Sequence, residues 1–177
     1  MIDISIKIIL MMNLLAYSTT KADAQLKSQP GKSFKSTTVN GMTFQWAFDN
    51  HNLHCKATAP TTGWVAIGFN TKDELSGTNL IMGAVEQDFI TIDDRFIVGP
   101  GNHKSITELG GSEALTLRAG DEVGDNTTIS FSIPLSVNDK FHHDLHEGKE
   151  YYILMAFSQE DDFQHHSIMR TTIKIKL

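Results

Sequence analysis

The side chains best suited to chemistry in this chain are its histidines and one methionine. All eight histidines lie beyond residue 50. His165-His166 follow an acidic turn, Gln159-Glu160-Asp161-Asp162, and precede the closing apolar stretch. Neutral imidazole suits iron through one ring nitrogen and leaves the other for an orienting bond. The pair also reads as two solvated loop histidines. His142, His143 and His146, with Asp144 among them, form a second group. Imidazole and carboxylate are both competent for a divalent metal, yet a long polar loop gives them no fixed geometry, and a solvated loop is the plainer reading. Met82 stands between Ile81 and Gly83 in an apolar run, where a thioether is ordinary core filler by default.

Hydrolytic chemistry has little footing. There is no G-x-S-x-G elbow, no H-E-x-x-H helix and no phosphate-cradling glycine loop. Asp93 and Asp94 could be imagined as an acid–base couple, but neighbours on a strand face opposite ways and cannot share one substrate. Cys55 is the single cysteine, so no intramolecular disulfide forms. One cysteine also excludes a covalently attached haem of the C-x-x-C-H type and a four-cysteine iron–sulfur centre.

The elements that carry these residues read as short strands. Met42–Phe48 alternates, with Met42, Phe44, Trp46 and Phe48 on one side, and Leu53–Ala59 returns after an Asp-Asn-His-Asn turn. Gly63–Phe69 and Leu80–Val85 are apolar runs joined by a polar connection containing Asp73, Glu74 and Gly77. Gly63, Gly68 and Gly83 lie in or beside those runs, where a missing Cβ lets a backbone or a flat ligand approach. Strands are also expected at 89–98, with a charged kink at Asp93-Asp94-Arg95, and at 114–117, 127–133, 151–157 and 168–177. Tyr151–Phe157 reads as buried on both faces. No helical periodicity is sustained. About nine short strands with glycine and Asn/Asp turns predict an all-β, antiparallel β-sandwich in a single domain.

Residues 1–24 have the pattern of a secretory signal peptide: Lys7, then apolar Ile8–Leu15, then Ala22-Asp23-Ala24 as the small-residue cleavage site. The apolar run is too short to span a bilayer comfortably, so no integral membrane segment is expected in the mature chain. Residues 25–38 read as a polar lead-in with Pro30 and Gly31, and 39–177 as the sandwich. The formal net charge of −6 is unchanged by cleavage, since Lys7, Lys21, Asp3 and Asp23 leave together. A mildly acidic chain without a basic run argues against nucleic acid and anionic membrane surfaces as partners.

Gly63-Trp64-Val65-Ala66-Ile67-Gly68-Phe69, then Met82-Gly83-Ala84, then Ile92-Asp93-Asp94-Arg95-Phe96, and finally His166 with Arg170 four residues on, together resemble the DOMON family. The resemblance runs from about Val39 to Leu177 and implies a β-sandwich. In the family's haem-binding branch it implies one non-covalent haem b held by a Met and a His, which fall on Met82 and His166, with His165 as the adjacent competitor. Gly83 would let the porphyrin approach, and Trp64, Phe69 and Ile81 would supply an apolar wall. With both axial positions filled by protein, the implied task is electron transfer with a separate redox partner rather than catalysis, outside the cytoplasm. Other members lack haem, so the alternative is a haem-free module for carbohydrate or another small ligand. One departure is Phe131-Ser132-Ile133-Pro134, where many members carry an Arg before the Pro.

Alternation back from Ile173, Ile175 and Leu177 brings His165 to the core-facing side if the last strand is regular. Ser167 and Thr171 would then share that side, which is poor company for a core, and a bulge near 167–172 would switch the parity to His166. The family spacing also points to His166. If the leader is cleaved as its pattern predicts, the intact mass of exported protein corresponds to a mature N-terminus at Gln25; a product retaining Met1–Ala24 overturns the secretion reading.

Overall fold

The computed structural model describes residues 33–87 and 89–177. The expected leader and most of the lead-in lie outside the described residues. Two antiparallel sheets face each other. One has the order β1-β2-β3-β9-β8 and the other β11-β10-β4-β5-β6-β7. Their eleven strands are β1 Lys35–Val39, β2 Met42–Phe48, β3 Asn52–Ala59, β4 Val65–Asn70, β5 Asn79–Glu86, β6 Phe89–Gly99, β7 Asn102–Ser105, β8 Leu117–Val123, β9 Asn126–Pro134, β10 Glu150–Phe157 and β11 Met169–Lys176. Among the described residues no helix is long and apolar enough to cross a membrane.

The sandwich and its alternation are as expected; the differences are local. Lys35–Thr38, read as lead-in, belong to β1, because Asn40-Gly41 closes a tight hairpin onto β2. Both turn residues have positive φ, 51° and 82°, the requirement of a type I′ turn and the reason for Asn-Gly there. The tract Gly120-Asp121-Glu122-Val123, read as a break, is most of β8. Its charges are tolerated because β8 is a sheet edge, with Asp121 and Glu122 exposed to water. The expected kink at Asp93-Asp94-Arg95 is absent: β5 and β6 pair in register throughout.

The main core lies between the sheets. Phe44, Phe69, Phe131, Ile67, Ile81 and Ile153 are all essentially unexposed there. The six-stranded sheet, however, buries its other face too. Trp64, Ala66, Leu80, Met82, Leu154 and Ala156 form a second apolar cluster, with Leu75 and Phe163 packed against it. β4, β5 and β10 are therefore covered on both sides, which explains their near-continuous apolar sequences.

The long connection 135–149 is built in at His142 and His143, contrary to their reading as part of a solvated loop, while His146 is exposed as that reading expects. Phe141 and Leu145 are buried, and the His142 side chain is only 4% exposed. Its Nε2 lies 2.9 Å from Asp94 Oδ2 and its Nδ1 2.8 Å from Asp139 Oδ2. Asp94, fully buried, also accepts from Asn79 Nδ2 at 2.7 Å and from the Ala114 amide at 2.9 Å. His143 Nε2 donates to the Gly77 carbonyl at 2.8 Å, and the Tyr151 hydroxyl donates to the Asp144 carbonyl. No group of three or more His, Cys, Asp or Glu among the described residues is arranged to hold a metal ion.

Burial opposes charging of His142, but Asp94 and Asp139 outweigh it and raise its pKa above the usual 6.5. A raised folded value gives stability that is fully present below about pH 6.5 and lost as pH rises through the higher value. Urea denaturation should therefore show the wild-type chain losing stability from about pH 6 upward. His142→Gln should cost about 2–4 kcal/mol at pH 6 and flatten that slope. An unchanged slope would remove His142 from the account.

Candidate functional site

The second apolar cluster is the floor of a cavity on the outer face of the six-stranded sheet. Strand register puts Arg170, Ala156, Ala66, Met82 and Asp93 in one row across β11, β10, β4, β5 and β6. Ala66 and Ala156 are small, so the row is a trough beside the Met82 thioether, which is 1% exposed. The rims are the β6–β7 hairpin, with Ile97, Asn102 and His103, and the β10–β11 connection, with Gln164, His165 and His166.

That connection is a strap laid over the floor. Its near end is pinned to the segment before β4. Trp64 N donates to the Glu160 carbonyl, and Ser158 N to the Trp64 carbonyl, both at 3.0 Å. Thr61 Oγ1 donates to the Ser158 carbonyl. At the far end, Ser158 Oγ donates to the His166 carbonyl at 3.0 Å and Ile168 N to the Phe157 carbonyl at 2.9 Å. Gly63 makes the pinning possible: a Cβ there would meet the Gln159 and Glu160 backbone at 2.5 Å.

The sequence-predicted residues divide cleanly. Met82, Trp64, His165 and His166 all line this cavity. Gly83 does not: it faces the inter-sheet core, where Ile129 and Ile92 occupy the space its missing Cβ leaves. Phe69 and Ile81 lie in the same core and supply no wall. The premise behind the choice between the two histidines also changes. The Met82 face is the outer one, which β11 shares through Arg170 and Thr172 rather than through Ile173 and Ile175. β11 is regular from Met169 to Lys176, so no bulge is required. Both histidines precede the strand, in the strap, and both reach the cavity.

Their surroundings differ. His165 Nδ1 lies 3.4 Å from Asp162 Oδ2, with both side chains more than half exposed. A carboxylate on the second ring nitrogen is a common companion of metal-bound imidazole. His166 has its carbonyl anchored, and among the described residues nothing hydrogen-bonds its ring. The sequence reading missed His103. Its Nδ1 accepts from Arg95 Nε at 2.9 Å, which fixes the proton on Nε2. Burial, then the Arg95 charge, hold its pKa below 6.5 against the opposing effect of the nearby Phe163 backbone. Alternation places His103 beside Ile97 on the outer face, but a four-residue strand of Asn-His-Lys-Ser carries no pattern to reveal it.

A second polar chain has a hydrolytic look and no access. His54 Nδ1 lies 2.7 Å from Ser132 Oγ, and its Nε2 2.6 Å from Asp49 Oδ2. Ser132 is 2% exposed, so no substrate reaches it. Burial would raise the Asp49 pKa, but bonds from His51 N, His54 and Asn52 N override this and lower it to about 2. The trio braces β3, β9 and the β2–β3 turn.

A haem suits the donor set of the cavity. A buried thioether faces a strap carrying two imidazoles, the floor is apolar, and the Arg170 guanidinium at the mouth suits a carboxylate. Trp64 Nε1 is buried without a partner and is a ready donor on the wall. The cavity volume is about 130 Å³ and its mouth is open to solvent, against the roughly 300–1,000 Å³ of sites that enclose drug-sized ligands. A macrocycle therefore either projects through the mouth or lifts the strap. Gly63→Ala should drive the strap off its seat and cost about 1–3 kcal/mol. Thermal denaturation and amide exchange over 158–166 check this; an unshifted melting temperature with unchanged exchange would deny Gly63 its role.

The sequence has no match among curated proteins. The fold is similar to the cytochrome domain of Myriococcum thermophilum cellobiose dehydrogenase, with a TM-score of 0.61, 12% identity and 81% of each chain covered. It is similar also to the cytochrome b domain of pyranose dehydrogenase from Coprinopsis cinerea, with a TM-score of 0.64, 10% identity and 82% of each chain covered. A family 9 carbohydrate-binding module from Caldicellulosiruptor kristjanssonii aligns more loosely, with a TM-score of 0.43, 14% identity, and 80% of this chain and 69% of that one covered. The model of the DOMON domain matches residues 38–158, ending just before the histidine strap. The chain belongs to the DOMON family.

Proposed function

We propose that this chain is an exported b-type cytochrome domain that holds one haem b non-covalently through Met82 and His166 and exchanges electrons with a separate redox protein. The observation that carries the reading is the Met82 thioether buried in the trough under a strap with two histidines. Fold likeness to two cytochrome domains supports it. When bound, the group supplies a one-electron couple, and a thioether ligand favours its reduced state. The protein's part is to keep water from the floor with Trp64, Leu80 and Leu154, to offer the thioether from a rigid central strand, and to bring an imidazole down from the strap. His166 is favoured by its anchored main chain and by the family spacing to Arg170. His165, with Asp162 on Nδ1, is the competing ligand.

The full chain expressed with ample haem should give a six-coordinate, low-spin b-type spectrum, with haem extractable by acid acetone. Met82→Ala should lose the soft ligand and lower the midpoint potential. His166→Ala should abolish the low-spin form, and His165→Ala should keep it. The reverse pattern moves the ligand by one residue. A colourless protein that also refuses added haem favours the haem-free DOMON module for carbohydrate or another small ligand.

A further inference from the structure

Arg95 is a nearly buried cation, 7% exposed, that lies behind the cavity rim and bonds the rim residue His103. Three partners hold it. Nη1 donates to Asp93 Oδ2 at 2.8 Å, Nε donates to His103 Nδ1 at 2.9 Å, and the guanidinium carbon lies 5.8 Å from the centre of the Phe163 ring. The Phe163 backbone lies close enough to His103 to act on its ionisation. Phe163 belongs to the strap, two residues before His165, and packs on the outer apolar cluster. The strap is thus tied at its base to the segment before β4, and at its tip to β6 and β7 by contacts that converge on one guanidinium.

We propose that Arg95 and Phe163 form the latch that holds residues 161–167 down over Met82, which makes Arg95 the positioning residue for the histidine pair. The latch follows from the shape of Arg. A planar guanidinium can donate sideways to Asp93 and His103 while offering its face to an aromatic ring, which an ammonium cannot do at once. Asp161 needs such restraint: its Oδ1 is buried without a partner, and Glu86, Glu122 and Glu160 all lie close enough to repel it. Release of the tip opens the trough to a ligand larger than the closed cavity, and re-latching returns the imidazoles to the floor. The consequence for ligation rests on the haem reading; the latch itself does not.

Two measurements on the full chain keep these apart. In haem-free protein, hydrogen exchange over 161–167 should quicken roughly tenfold or more in Arg95→Gln, with the strands of the other sheet unchanged. Phe163→Leu, which removes the ring and leaves the buried charge paired, should do the same and guards against a folding defect in the first variant. With haem added to the wild type and both variants, latch loss should speed haem uptake and convert part of the low-spin signal to high-spin. Arg95→Lys should recover the fold without recovering the single low-spin form. Unchanged strap exchange in Phe163→Leu overturns the latch. Quickened exchange in a chain that binds no haem sustains the latch and overturns the cytochrome reading alone.

Discussion

The structure depends on covering both faces of one sheet. A sandwich ordinarily buries the inner faces of its sheets and wets the outer ones. Here β4, β5 and β10 carry apolar residues at nearly every position, so the outer face of the six-stranded sheet also needs shelter. Burying a side chain such as Met82 or Leu154 is worth about 1.5–3 kcal/mol. The cover comes from the β6–β7 hairpin and the strap, neither with a hydrophobic core of its own. Their restraint is polar: the Arg95 group at one side, the Thr61–Gly63–Trp64 segment at the other. The outcome is an apolar floor under a cover held by polar tethers.

The two clusters of polar residues in β6 divide the labour by alternation. Asp94 points inward and spends its charge on His142, Asn79 and the Ala114 amide, fixing the loops that seal the inner core. Asp93 and Arg95 point outward, where they pair with each other and Arg95 bonds His103. One residue of register separates a brace for the fold from a brace for the site. Adjacent carboxylates that look like a catalytic couple in the sequence are therefore two unrelated devices, and strand geometry alone decides this.

Much of the fold was legible because it rests on period-two burial and turn chemistry. Met42–Phe48, Leu53–Ala59 and Tyr151–Phe157 announce themselves by composition. β1 and β8 were missed for the same reason as each other: edge strands are stabilised by backbone pairing rather than burial, so Lys35-Ser-Thr-Thr-Val and Leu-Arg-Ala-Gly-Asp-Glu-Val show little hydrophobic pattern. The Asn40-Gly41 turn was the available signal for β1. Met82, Trp64 and the histidine pair line one cavity, whereas Gly83, Phe69 and Ile81, read as porphyrin contacts, face the inter-sheet core.

That error has a physical root. Alternation tells which residues share a face; it does not tell which face a ligand uses. When one face is polar the question answers itself, but in β5 both Ile81 and Met82 are apolar and both are buried. The information lies instead in the size of the neighbours across the sheet. On the inner face, Ile67 and Met155 oppose each other and fill the space between the sheets. On the outer face, Ala66 and Ala156 are paired beside Met82 and leave a trough that no second sheet fills. A strand triplet with bulky partners on one side and alanines on the other leaves its open space on the alanine side. In this chain the Ala66–Ala156 pair, with a thioether beside it and imidazoles above, is what puts the candidate cavity on the outer face.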